Sequence, residues 1–140
     1  MFTVTKEIPF CYGHRLMLHT GKCRHLHGHS ARAVITVAAD ALNPQGMVCD
    51  FADINAAARE LIDAQLDHNM LLHRDDPALS WLRETHERHL VLDEHPTAET
   101  LAKMIYRHMQ AKGYDVVQVA LWETDSAYAC YSEAGMPRLL

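Results

Sequence analysis

The stretch Cys23-Arg24-His25-Leu26-His27-Gly28-His29 runs directly into Ser30-Ala31-Arg32-Ala33-Val34-Ile35-Thr36-Val37. Its reading decides the rest. Side chains of an extended strand repeat every second residue, so His27 and His29 share a face only if the segment is a strand. Ala31, Ala33, Ile35 and Val37 continue that same face, which predicts a strand over 27–40. Two imidazoles side by side, with a third near them, can hold a zinc ion, whose usual ligands are His nitrogen and Cys sulfur. Taken alone, a His-x-His pair is more often surface decoration. The nearby thiol and the intervening Gly28 point beyond decoration, because a strand glycine leaves room for close approach of a backbone or ligand, or else marks a bulge.

Outward from this stretch, Phe2 to His14 alternates as a strand, with Phe10, Tyr12 and His14 on one face. Asn43-Pro44-Gln45-Gly46 carries a type I turn signal. Asp50 is placed to cap a helix whose apolar stripe is Phe51, Ile54, Ala58, Leu61, Ile62 and Leu66. Asp76-Pro77 predicts a short helix from Pro77 to about Thr85, and 89–92 is a short strand or an extended connector. Thr97 caps the next helix, with Leu101, Met104, Ile105, His108 and Met109 as its stripe and Gly113 as its end. Two strands follow, Tyr114 to Glu123 and Ala127 to Tyr131. The expectation is a single α+β domain over 1–140, ββααββ, with a four-stranded antiparallel sheet, two helices on one face and a short insert at 73–95. Its two open sheet edges favour pairing between subunits.

Composition narrows the function. The chain has 140 residues, 49% apolar and 22% charged, the profile of a globular domain. Its 13 basic and 18 acidic residues leave a net charge of −5, which argues against a partner held by phosphate contacts along a nucleic acid. No apolar run reaches the length of a membrane span, and no leader is visible, so the expected location is the cytoplasm. There Cys11, Cys23, Cys49 and Cys130 would be reduced thiols. Of the eleven histidines, His19, His73, His86, His89 and His108 sit in polar surroundings and are expected to be solvated.

His14, His27 and His29 are the proposed metal ligands. Three protein ligands leave positions open, the pattern of a catalytic zinc. Alone, His14 would be a core histidine. Cys23 lies between Lys22 and Arg24, and neighbouring cations favour a thiolate. Asp67-His68 is either a proton relay or a solvated pair; to orient the ring, the Asp must sit at a helix end or turn. Glu123 continues an apolar strand face. It is either the solvated end of that strand or a carboxylate awaiting a ligand with two neighbouring N–H groups.

Together these positions resemble one family. Phe10-x-x-x-His14-Arg15-Leu16, Cys23-x-x-Leu26-His27-Gly28-His29, Met47-Val48-x-Asp50-Phe51, Leu66-Asp67-His68-Asn69, Pro96-Thr97-Ala98-Glu99 and Trp122-Glu123-Thr124 occur in the order seen in the 6-pyruvoyl-tetrahydropterin synthase and 6-carboxytetrahydropterin synthase family. The resemblance covers essentially the whole chain. It implies the tunnelling fold, or T-fold, with subunits joined edge to edge as a trimeric barrel and two trimers stacked as a homohexamer. It implies 7,8-dihydroneopterin triphosphate as substrate, bound between subunits, and Zn2+ on His14, His27 and His29. Cys23 would be the general base, with Asp67 and His68 as the proton-transfer partner. Glu123 would anchor the pterin, assisted by Thr97 and Glu99. Lys22, Arg24 and Arg32 are candidates for the triphosphate.

Three functions compete. The leading one is formation of 6-carboxy-5,6,7,8-tetrahydropterin, with loss of acetaldehyde and triphosphate, on the way to 7-deazaguanine compounds such as queuosine. The others are formation of 6-pyruvoyl-tetrahydropterin, or binding of zinc and pterin without turnover. The chain departs from the family at Tyr12 and Gly13, where small residues usually precede the histidine, at Thr100, where Asn is common, and in the length of 73–95.

Overall fold

A computed structural model describes residues 1–133. The hairpin at its centre pairs β1 (Phe2–His14) with β2 (His27–Ala39) along their whole length, from Phe2↔Ala39 to His14↔His27. β5 (Val116–Thr124) runs antiparallel to the far side of β2, and β6 (Ala127–Tyr131) antiparallel to β5. These are the four strands expected from alternation.

Two further strands enlarge the sheet. β3 (Asn69–His73) adds parallel to the free edge of β1, and β4 (His89–Leu92) adds parallel to β3. The sheet is therefore six-stranded and mixed, in the order β4-β3-β1-β2-β5-β6, rather than four-stranded and antiparallel. The physical reason lies in the connections. Parallel neighbours need a crossover, and α1 (Phe51–Leu61) and α2 (Ala78–Glu84) supply helical ones before β3 and before β4. The segment 73–95 is thus the outer part of a βαβ unit, and Leu79 and Leu82 of its helix form a small core with Leu72 of β3.

α1 and α3 (Ala98–Ala111) cover one face of the sheet. Asp50 accepts from the Ala52 N–H at 2.8 Å and Thr97 from the Thr100 N–H at 3.2 Å, so both expected caps form. Gly113 closes α3 at a φ of 97°, a left-handed conformation that favours glycine. Ile8, Ala33, Ile35, Ile54, Leu101, Ile105, Met109 and Leu121 are fully enclosed between the layers. His108, expected in solvent, bonds the Ala57 carbonyl at 2.7 Å, and His73 stacks on His95 with ring centres 4.3 Å apart. On the other face of the sheet, Trp122 stacks on Tyr128 at 4.0 Å, with the Arg32 guanidinium 4.6 Å above its ring.

α1 does not end like an ordinary helix. It widens into a π-helical turn at Ile62–Leu66, where the Asp67 N–H reaches back five residues to the Ile62 carbonyl at 2.7 Å. His68 then adopts a φ of 54° before β3 begins.

Candidate metal centre and ligand pocket

The β1–β2 register brings the histidines together. His14 and His27 are direct cross-strand partners, and His29 lies opposite Tyr12. His14 Nε2 is 3.0 Å from His27 Nε2 and 3.2 Å from His29 Nε2. Metal–nitrogen bonds of about 2.0–2.1 Å at tetrahedral angles would space neighbouring nitrogens by about 3.3–3.4 Å, so the trio fits an ion with little adjustment.

The tautomers strengthen that fit. His14 Nδ1 donates to the Pro96 carbonyl at 2.6 Å, and His27 Nδ1 to the His25 carbonyl at 2.7 Å. A neutral ring protonated on Nδ1 has only a lone pair on Nε2. His14 and His27 therefore aim two lone pairs at one point, an arrangement that a shared cation stabilises. Burial holds the pKa of both His14 and His29 below the ordinary imidazole value, keeping the rings in the neutral form that binds metal. These three are a group that could hold a metal ion.

Glu123 stands beside the trio. Its Oε2 is 2.7 Å from His29 Nε2 and 3.6 Å from His14 Nε2. The β5–β6 register shifts between Trp122 and Thr124, so Glu123 occupies a bulge, a device that re-aims a side chain. Glu99, in the first turn of α3, lines the same cleft of about 290 Å³ with His29 and Glu123. Thr97 is spent on capping α3.

Tyr12 is the neighbour that sequence reasoning did not place in the site. Its ring lies 5.1 Å from that of His14 and 5.6 Å from that of His29, and only 3% of the residue is exposed. Burial first, and then the Glu123 charge, push its pKa up, so the phenol is neutral and a donor. Its hydroxyl is enclosed beside the Glu123 carboxylate.

Asp67 and His68 form a second group, 3.1 Å apart, at the turn where the dyad needed the Asp to be. The Cys11 N–H donates to Asp67 Oδ1 at 3.0 Å, and the His68 N–H donates to the Cys11 carbonyl at 2.7 Å. The Cys11 bond is the main reason that the Asp67 carboxyl titrates below its ordinary value. Arg88 fixes the turn from outside, reaching the carbonyls of Asp63, Ala64 and Asp67 at 3.0–3.2 Å. The thiol that joins this group is Cys11, with all ligand atoms within 4.8 Å of one another. Cys23 lies on a 3-10 turn, Lys22–Arg24, half-buried, and joins neither group of the described residues. A cleft of about 630 Å³ links the two groups, lined by Cys11, His27, His29 and His68 and floored by the facing Gly13 and Gly28.

This architecture recurs in known proteins. Residues 3–134 match the family model described as 6-pyruvoyl tetrahydropterin synthase. A protein of Rickettsia typhi named 6-carboxy-5,6,7,8-tetrahydropterin synthase is 35% identical over 135 residues, covering 91% of this chain and 98% of its own. A Synechocystis protein of the same name is 33% identical over the full length of both chains. Among solved structures, an uncharacterized protein from Wolinella succinogenes superposes with a TM-score of 0.79 at 26% identity, covering 95% of this chain and 98% of that one. The 6-pyruvoyl tetrahydropterin synthase of Caenorhabditis elegans shares the fold with a TM-score of 0.68 at 19% identity, covering 95% and 96%. With the family match spanning nearly the whole chain, this protein belongs to the 6-pyruvoyl tetrahydropterin synthase family.

Proposed function

We propose that the chain is a zinc-dependent lyase that converts 7,8-dihydroneopterin triphosphate to 6-carboxy-5,6,7,8-tetrahydropterin, releasing acetaldehyde and triphosphate, in the route to 7-deazaguanine compounds such as queuosine. Curated relatives at 26–35% identity carry the name of that synthase. The observation that carries the reading is the convergence of three imidazole Nε2 atoms beside a re-aimed carboxylate.

His14, His27 and His29 would hold the zinc, which as a Lewis acid would acidify the substrate's side-chain hydroxyls. Glu123 would bind the paired N–H groups of the pterin, with Glu99 on the same cleft and Thr97 holding the start of α3. Cys23 would remove the proton, and Asp67 with His68 would pass it on. Cys23 does not meet that dyad within the chain, which supports a site completed between copies. The end strands β4 and β6 leave two open edges for such pairing into a trimer or a dimer of trimers.

Incubation of the zinc-loaded protein with 7,8-dihydroneopterin triphosphate, followed by mass spectrometry, tests the reading. Acetaldehyde and the carboxylated pterin are expected. Triphosphate release with the carbon skeleton kept would assign the pyruvoyl product instead, and absence of turnover would leave a binding protein. Light scattering across a concentration series tests the assembly, with a monomer overturning it.

A further inference from the structure

The second group of ligand-type side chains, Cys11, Asp67 and His68, is assembled around one residue. The Cys11 N–H donates to Asp67 Oδ1 at 3.0 Å, and the Cys11 carbonyl accepts from the His68 N–H at 2.7 Å. The backbone of a single strand residue thus pins both neighbours, and its own thiol completes the group. One ligand atom from each residue lies within 4.8 Å of the other two. With Oδ1 held by the Cys11 N–H, Asp67 Oδ2 faces His68 Nδ1 at 3.1 Å.

These spacings suit an ion. Bonds of about 2.0–2.2 Å at tetrahedral angles put an oxygen and a nitrogen about 3.3–3.5 Å apart, and a sulfur bound at about 2.3 Å lies about 3.6 Å from either. Asp67 and His68 already stand near the first spacing. For the thiol, 4.8 Å less about 3.6 Å leaves at most about 1.2 Å to close. The His68 side chain is 77% exposed, so its ring has room to turn. Cys11 and His68 both line the cleft of about 630 Å³, which gives an ion a path to the group.

The donor set differs from that of the three histidines. A thiolate and a carboxylate together match the charge of a divalent cation, and the imidazole adds a neutral donor. Sulfur selects zinc, cobalt or cadmium over magnesium or calcium.

We propose that Cys11, Asp67 and His68 form a second metal site, separate from the three-histidine centre, that takes a soft or borderline divalent cation through the Cys11 thiolate. Binding forms a sulfur–metal bond and releases the thiol proton to solvent, with no change of oxidation state. His14 is buried where His68 is exposed, so the three-histidine centre fills first and this site second. One consequence rests on the reading of Asp67 and His68 as the proton relay: a filled second site withdraws both from proton transfer, so excess metal inhibits.

The test starts from protein holding one zinc per chain, titrated with Co2+ in a buffer free of thiols and chelators. A cobalt–thiolate bond adds a charge-transfer absorption that three imidazoles do not produce. The expected parent binds cobalt with that absorption and keeps its zinc. Cys11→Ser should remove the absorption, Cys23→Ser should retain it, and His68→Ala should weaken cobalt binding more than about tenfold. Absence of the absorption in the parent, its persistence in Cys11→Ser, or its loss in Cys23→Ser overturns the proposal. If Cys11→Ser fails to fold, His68→Ala decides, because its ring is exposed; unchanged cobalt affinity there overturns the site. Turnover of 7,8-dihydroneopterin triphosphate should fall in step with cobalt occupancy. Turnover that ignores a filled site overturns the relay reading and leaves the metal site in place. No turnover even before cobalt is added overturns the proposed function, while the absorption still decides the site.

Discussion

The three histidines and the Asp67–His68 turn are both small clusters of titratable groups, yet they are built by opposite means. The histidines sit on two strands paired over thirteen residues each, and His14 is buried to 1% exposure. Their spacing follows from register and pleat. Asp67 and His68 lie on the irregular join between a π-helical turn and an edge-side strand, with the His68 ring largely in solvent. Their geometry depends on a left-handed residue and on backbone hydrogen bonds supplied by Cys11 and Arg88. The proposed metal ligands sit in the regular, more rigid region, and the proposed proton relay sits where the backbone is least regular.

The largest expected effect breaks the rigid half. Replacing His27 and His29 with Ala should remove the metal and lower activity by more than the ~10–100-fold typical of losing an outer-shell partner. Metal analysis alongside the assay checks this, and full zinc in the double variant would dissolve the ligand set.

Next comes a contrast between two thiols, which asks how the irregular half is completed. Cys23→Ala should retain zinc and lose about 10²–10⁴-fold in turnover, the usual contribution of a general base. Cys11→Ala should stay within about threefold of the parent, because it is the backbone of Cys11 that binds the dyad. If the two results come out reversed, Cys11 takes over the role within a single chain.

Arg88→Ala sharpens the difference more gently. It strips donors from three carbonyls at the end of the π-turn and should lower kcat about 3–10-fold, with zinc content and KM held, as expected for misorientation rather than loss of a reacting group. Hydrogen exchange at the Asp67 amide should quicken while the β1–β2 amides stay protected. Equal protection of both regions would show that Arg88 does not hold the turn.

The smallest effect is acid sensitivity. Asp67 titrates below its ordinary carboxylate value in the folded protein, chiefly through the Cys11 N–H bond. Its contribution to stability is therefore full above that ordinary value and is lost as pH falls through the lower, folded value. Asp67→Asn should flatten this part of the acid unfolding curve, read by circular dichroism between about pH 5 and pH 2. An unaltered curve would show that the bond carries no net stability.

How much of this was legible in advance follows the same division. Alternation placed His27 and His29 on one face of their strand and His14 on the apolar face of its own, because a pleat repeats every two residues whatever surrounds it; the β1–β2 register is what brings the three together. Asp50, Thr97 and Gly113 announced their helix ends by side-chain chemistry. β3 and β4 were not legible as sheet members. Asn69–His73 and His89–Leu92 are only five and four residues long, and their pairing depends on where α1 and α2 return the chain. The π-turn was not legible either: Ile62 and Leu66, both buried, fit the apolar stripe of an ordinary helix equally well. Tyr12 was visible only as an unusual residue before His14. Its place beside Glu123 needed the bulge at Trp122/Thr124, which no local pattern marks.

The stack of Trp122 between Arg32 and Tyr128 has a practical consequence for following the pocket. Trp122 precedes Glu123 on β5 and packs with Arg32 and Tyr128 rather than with the histidines, so its indole reports on the strand that carries the carboxylate. The chain has two tryptophans, and the other, Trp81, is an exposed residue of α2, far along the sheet order from β5. Replacing Trp81 with Phe leaves a protein with one fluorophore, one residue from the carboxylate. Its emission would record the loading of the metal centre and the seating of a pterin as two separate optical steps.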